Sequence, residues 1–216
     1  MVMHLERADH VPASAMPDGP ITSGAAYWYW RGDRLALDFV NTRRERWRRS
    51  IETLITPADV SAWLVAAGVM EQPARVRGAV LAEAHALREA IDAAVVATVA
   101  GSDVPDSAIG LIDDWLVFAG PRPQFLLGSD GRPMLAERPA ADSPRRALGM
   151  VALDAATLLA TPTQRARLRI CASPTCSARF YDRSPAARRR WCSMQTCGNQ
   201  AKARRHRERL RGTAAA

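Results

Sequence analysis

Four cysteines are the residues of this chain best placed to do chemistry. Cys171, Cys176, Cys192 and Cys197 are spaced C-x4-C-x15-C-x4-C, two close pairs separated by a segment long enough to fold back and bring four thiolates to one point. Such a set suits a single zinc ion, with four Zn–S bonds of about 2.3 Å and no open coordination position, so the site is structural and not catalytic. Pro174 can help turn the first pair, while Arg169, Arg179, Arg188, Arg189 and Arg190 favour thiolate over thiol and offset the negative charge of zinc held by four thiolates. Two disulfides, four unrelated buried thiols or an iron-sulfur cluster are the alternatives. A reducing compartment opposes the first, the paired spacing opposes the second, and the x4 gaps differ from the x2 gaps of the usual ferredoxin run.

The charge of the chain is concentrated around these cysteines. Residues 165–211 hold 14 basic and two acidic side chains, whereas residues 1–164 hold 16 and 20, so a net +12 segment follows a net −4 segment. That asymmetry points to an anionic partner. After Cys197 the run GNQAKARRHRERLRG favours a helix that Gly212 can end. Lys202, Arg205 and Arg209 share one face of it and Arg204, Arg207 and Arg211 another, with Glu208 as compensation. Duplex DNA admits such a helix into its major groove, where Arg bridges guanine O6 and N7 and other cations clamp phosphates. Arg188, Arg189 and Arg190 and the polar Asn199, Gln200 and His206 are expected to add contacts.

The rest of the chain must position this module. Its 216 residues are 48% hydrophobic, enough for a real core in one or two domains, and the expected fold is mainly α with a small β-hairpin. Residues 1–24, rich in Pro, Gly, Ser and Asp, read as a mobile tail, 25–164 as a helical domain and 165–211 as the finger with its basic helix. Thr56-Pro57-Ala58-Asp59 opens a helix to about Gly68, and Val76 to Val95 form an apolar stripe on a long helix ending near Gly101. A shorter helix spans Ile109 to Leu116, and Ser143-Pro144 opens one that Pro162 ends. QFLLGSDGRPMLAE reads as a hairpin turning at Gly128 to Gly131, whereas periodicity leaves the run from Tyr27 to Thr42 open between strand and helix. The finger alone has few large apolar residues, so metal binding supplies much of its folding free energy.

At these residues the chain resembles a known family. RLRICASPTCSARFYDRSPAARRRWCSMQTCGNQAKARRHRER is similar to the CGNR zinc finger of bacterial stress-induced transcription regulators, and Leu35-Ala36-Leu37-Asp38-Phe39-Val40-Asn41-Thr42 resembles the opening motif of that family's helical ABATE domain. The resemblance implies a four-cysteine zinc site from the residues already named, a DNA-binding C-terminal part and an N-terminal domain of unsettled role. The naming motif departs in one place, with Gln200 where the family usually carries Arg.

Other candidates are weaker. Asp38 and Asn41 could bind a small polar effector, although such a pair is more often a buried hydrogen-bond bracket. Arg43, Arg44, Arg46, Arg48 and Arg49 around Trp47 could touch phosphates or stack on a base, or form a solvated face. His85 and Glu89, four apart, have the spacing of an acid and base but no accompanying nucleophile or metal ligand. No GxGxxG, GxxxxGK[ST], HExxH or GxSxG motif occurs, so no enzymatic class is supported. No apolar run is long enough to cross a membrane and the first residues lack a secretory pattern, so a cytoplasmic location is expected. The expected function is that of a transcription regulator binding DNA, with the helical domain sensing a ligand or forming a homodimer. An RNA-binding accessory protein and an adaptor docking an acidic protein are the competitors.

Overall fold

The computed structural model describes residues 16–17, 19–120, 122–138 and 143–213. Seven helices, α1 (Leu35–Val40), α2 (Pro57–Ala66), α3 (Gly78–Ala100), α4 (Asp106–Leu116), α5 (Pro144–Ala160), α6 (Pro162–Arg165) and α7 (Asn199–Thr213), make the fold mainly α. Three antiparallel two-stranded ladders accompany them: β1 (Arg43–Arg44) with β2 (Ile51–Glu52), β3 (Arg122–Leu127) with β4 (Pro133–Arg138), and β5 (Leu168–Ile170) with β6 (Arg179–Tyr181).

Local chemistry explains the helix ends. Thr56 caps α2 by accepting from the Asp59 amide while the Asp59 carboxylate accepts from the Thr56 amide, and Pro57 occupies the first helical position, where no N–H is needed. Gly101, at φ 71°, ends α3 in the left-handed conformation that suits glycine. Ser143 caps α5. Two expectations need correction: α7 runs through Gly212 to Thr213, and Pro162 starts the short α6 as well as ending α5.

The apolar stripe of α3 buries Ala84, Leu87, Ile91, Ala94 and Val95 against α1, α2, α4 and α5, and α5 contributes Leu148, Val151, Ala155 and Leu158 to the same core. The Tyr27–Thr42 ambiguity resolves into a short 3-10 turn ending at Tyr27, an irregular aromatic stretch and then α1. Trp30 stacks on Trp63 at 5.5 Å and Phe39 lies 5.1 Å from the same ring. Of the segment read as a tail, residues 1–15 and 18 lie outside the described residues, but its end is docked. Gly24 is buried so close to Thr53 that any Cβ there would collide with the Thr53 carbonyl.

The β5–β6 ladder lies on this core, with β5 against α3 and β6 against α1, and Leu168 is part of the main apolar cluster. The finger therefore sits on the helical domain.

Candidate metal centre and nucleic-acid interface

Each cysteine is delivered by a different piece of backbone. Cys171 follows β5, Cys176 ends the turn before β6, Cys192 precedes a single wide helical turn (Met194–Gly198) and Cys197 lies within that turn, which runs directly into α7. All four sulfurs fall within 4.8 Å of one another, with Cys176–Cys192 at 3.8 Å and Cys192–Cys197 at 3.7 Å. A disulfide needs about 2.05 Å. A tetrahedron with Zn–S bonds of about 2.3 Å has edges of about 3.8 Å, so the thiol set fits one structural zinc. Cys171, Cys192 and Cys197 are buried and Cys176 half-buried, consistent with a closed site.

The basic residues expected to offset the thiolates are differently employed. Arg169 donates to the carbonyls of Ala166, Leu168 and Ala187, Arg189 donates to the Cys192 carbonyl at 2.6 Å and covers the Phe180 ring, and Arg190 lies over Trp191. They hold the loops that carry the sulfurs, because carbonyls left unpaired beside a buried site need donors. Buried Asp182 does the same from the acceptor side, taking hydrogen bonds from the amides of Ser184 and Arg189 and so fixing the turn in which Ala187 adopts φ 48°.

Three residues of the helical domain reach the centre, and none was foreseen from the sequence. The Tyr29 hydroxyl lies 3.2 Å from Cys192 Sγ, beneath the Arg44 guanidinium at 4.7 Å from its ring. Burial, then the charge of Cys192, pushes the Tyr29 pKa up, so the phenol keeps its proton and would donate to the sulfur when Cys192 is a zinc-bound thiolate. Trp47 Nε1 donates to the Cys176 carbonyl at 3.0 Å, and the Arg46 amide donates to Ser177 Oγ at 2.9 Å. Donors to ligand atoms usually contribute 10–100-fold in metal affinity. Tyr29→Phe is therefore expected to lower zinc affinity by about 10-fold or more while leaving helix content unchanged, as read by competition with a chromogenic chelator. Unchanged affinity would show that the hydroxyl does not support the ligand.

The candidate effector residues are committed to the same seam. Asp38 accepts from the Gly32 amide at 2.8 Å, and Asn41 makes a two-way bracket with the Arg179 backbone, donating to its carbonyl and accepting from its amide at 2.9 Å each. The Gly32 carbonyl takes the Tyr181 amide at 2.8 Å, so the outer edge of β6 is closed by the helical domain. Both side chains are buried. Arg179, itself buried, meets Asp92 of α3 through Nε at 2.6 Å and Nη2 at 3.1 Å, and its guanidinium lies 4.8 Å from the Trp47 ring centre.

The Arg43–Arg49 cluster is likewise partly consumed. Arg46 pairs with Glu89 at 2.6 Å and Asp92 at 3.2 Å, Arg43 reaches Glu89 at 3.5 Å, and Arg49 pairs with Glu45. Glu89 is thus an ion-pair partner. Burial pushes its pKa up, but the Arg46 hydrogen bond and charge, then Arg88, outweigh burial and hold it at about 2. Its contribution is present above pH 4.5 and is lost as pH falls toward 2. His85 faces the Leu54 carbonyl at 2.9 Å.

The expected nucleic-acid residues fall into two groups. Asn199, Gln200, Lys202, Arg204, Arg205, His206, Arg207 and Arg209 are exposed on α7, which packs mainly on the Met194–Gly198 turn. Arg188 and Arg190 are exposed on the finger loop, whereas Arg189 is half-buried and 3.6 Å from Asp33. Glu208 approaches Arg204 at 3.7 Å, a weak exposed contact.

A helical core carrying a closed four-thiol centre with a projecting basic helix defines a zinc-finger protein. Residues 33–162 match the ABATE family, described as "Putative stress-induced transcription regulator", and residues 167–210 match the CGNR zinc finger. The chain belongs to the ABATE family and carries a CGNR zinc finger after that domain. Neither description names a reaction. A comparison with curated proteins gives no match. No helix among the described residues is long and apolar enough to cross a membrane.

Proposed function

We propose that the chain regulates transcription by binding duplex DNA through α7, with the zinc centre fixing where that helix leaves the body. The observation that carries this reading is the state of α7. From Asn199 to Arg211 it holds six cations against Glu208, and Ala201 is buried while the other described side chains are exposed. Like charges at three- and four-residue spacing repel, so such a helix gains stability from an anion laid along it. Neutralising about six phosphates gives a slope of log K against log salt near −5. Arg204→Ala and Arg205→Ala are each expected to reduce that slope by about one. Full salt dependence in both variants would remove α7 from the interface.

One observation favours RNA as a second reading. Trp47 is 51% exposed beside the finger with Arg179 against its ring, the kind of platform on which unpaired bases stack. Competition between duplex DNA and structured RNA at matched salt separates the two, and the α7 reading requires the duplex to win. An acidic protein partner predicts no nucleic-acid binding at all.

The domain division at about residue 165 and a sensing role for the helical part belong to the same proposal. A cavity of about 580 Å³ lies between the end of α3, α4 and α5, lined by Thr98, Ile109, Ile112, Leu116 and Leu159 among others. That volume suits a small, largely apolar effector.

A further inference from the structure

We propose that the β3–β4 hairpin is the surface through which two copies of this chain pair. The register sets Phe125 opposite Leu135, Leu126 opposite Met134 and Leu127 opposite Pro133. Alternation along the strands therefore gathers Phe125, Leu127, Pro133 and Leu135 on one face. Phe125, Leu127 and Leu135 are 80%, 71% and 72% exposed, and Leu126 and Met134 on the opposite face are partly exposed as well. Among the described residues neither strand packs substantially on any other element.

A two-stranded hairpin standing alone in water is marginal, because it has one neighbour per strand and no layer to cover its apolar face. The exposed side chains amount to roughly 500 Å² of apolar surface, at the upper end of what a monomer usually shows. Two hairpins packed face to face about a two-fold axis bury roughly 1,000 Å², the threshold for a specific interface. The chemistry selects a second copy as the occupant. The four positions nearest the turn on that face, Phe125, Leu127, Pro133 and Leu135, are all apolar, and the charged Arg122, Glu137 and Arg138 fall at the open end of the ladder, so an acidic protein or a phosphate backbone gains little from the exposed patch, whereas the same apolar face is its own complement. A two-fold dimer also places two α7 helices in symmetric positions and predicts a palindromic DNA site; that consequence, unlike the dimer itself, rests on the proposed function.

The test is sedimentation equilibrium of the zinc-loaded full chain over a micromolar concentration series, without nucleic acid. The expected species has twice the 23.6 kDa chain mass. Phe125→Asp, and separately Leu135→Ser, should raise the dimer dissociation constant by about 30-fold or more, the cost of one central contact. Leu153→Asp, at an exposed apolar position on α5, should leave it unchanged. A monomer throughout, or a dimer that survives both hairpin substitutions in folded protein, overturns the proposal. A monomer whose hairpin amides gain protection only with duplex DNA also overturns it, and assigns the face to nucleic acid.

Discussion

Stripping zinc from the full chain should leave α3 and α5 folded while the finger loses its order around the four cysteines. The finger has its own small cluster, Cys171, Ala178, Phe180, Cys192 and Cys197, packed against Tyr29 and Trp191. Three of those five core residues are metal ligands, so without the ion the cluster has little left to bury. Structural zinc sites in finger peptides are worth about 10–16 kcal/mol at neutral pH, far beyond what that remnant can replace. Hydrogen exchange read by mass spectrometry checks the prediction. Amides around Cys171, Cys176 and Cys192 and in the Met194–Gly198 turn should lose protection on chelation, and the four thiols should become open to alkylation, while α3 and α5 keep their protection. Seam contacts such as the Asn41 bracket and the Arg179–Asp92 pair hold one side of the finger to the core. Residual protection is accordingly expected near Arg179 and not near Cys192. Full protection of residues 171–197 in metal-free protein would contradict the account.

Arg88→Met is expected to destabilise the helical domain by about 3–5 kcal/mol. The Arg88 side chain is 2% exposed, yet it carries a charge on the buried face of α3. It donates to both oxygens of Glu52, at 2.6 and 2.5 Å, to Glu89 at 2.9 Å and to Thr42 Oγ1 at 3.2 Å. Methionine fills similar volume but leaves Glu52 without its counter-charge in a site where Glu52 also takes the amides of Thr53 and Leu54. Burial pushes the Glu52 pKa up, and the Arg88 hydrogen bonds and charge more than reverse it. The pair's contribution is therefore fully present above pH 4.5 and is lost as the pH falls below it, so the deficit of the variant should narrow in acid. Denaturant unfolding of zinc-loaded protein gives the value. Arg88→Met with Glu52→Gln should recover part of the loss, since both charges then leave together. A deficit below about 1 kcal/mol in the single variant would mean that the buried pair contributes little.

What was legible in the sequence follows the range of the interactions. Capping at Thr56 and Ser143, the left-handed stop at Gly101 and the stripe from Ala84 to Val95 act within a turn or two, and each reads directly from neighbouring residue types. The zinc site was legible because two close cysteine pairs separated by a short segment have the ligand spacing of a tetrahedral metal site, and no packing information was needed to bring Cys171 and Cys197 together. The seam was not legible, because its partners are far apart in the chain. Asn41 brackets a residue 138 positions away, Tyr29 reaches Cys192 across 163, and Arg88 meets Glu52 across 36. In sequence Asp38 and Asn41 look the same whether they bind a ligand or close a backbone edge. The strands β1, β2, β5 and β6, two or three residues each, are too short to show alternation. The role of the Arg43–Arg49 run stayed open for a related reason: the acids that neutralise Arg43 and Arg46 lie on α3, more than 40 residues on.

The central claim is that zinc holds a basic helix in place for duplex DNA. It is tested most directly by fluorescence anisotropy of a labelled duplex titrated with the full chain across a salt series, before and after chelation, with zinc content measured on the same samples. About one zinc per chain, a log–log slope near −5 and loss of that binding on chelation are the expected results. One zinc per chain with no salt-dependent duplex binding, even at low salt, would contradict the claim.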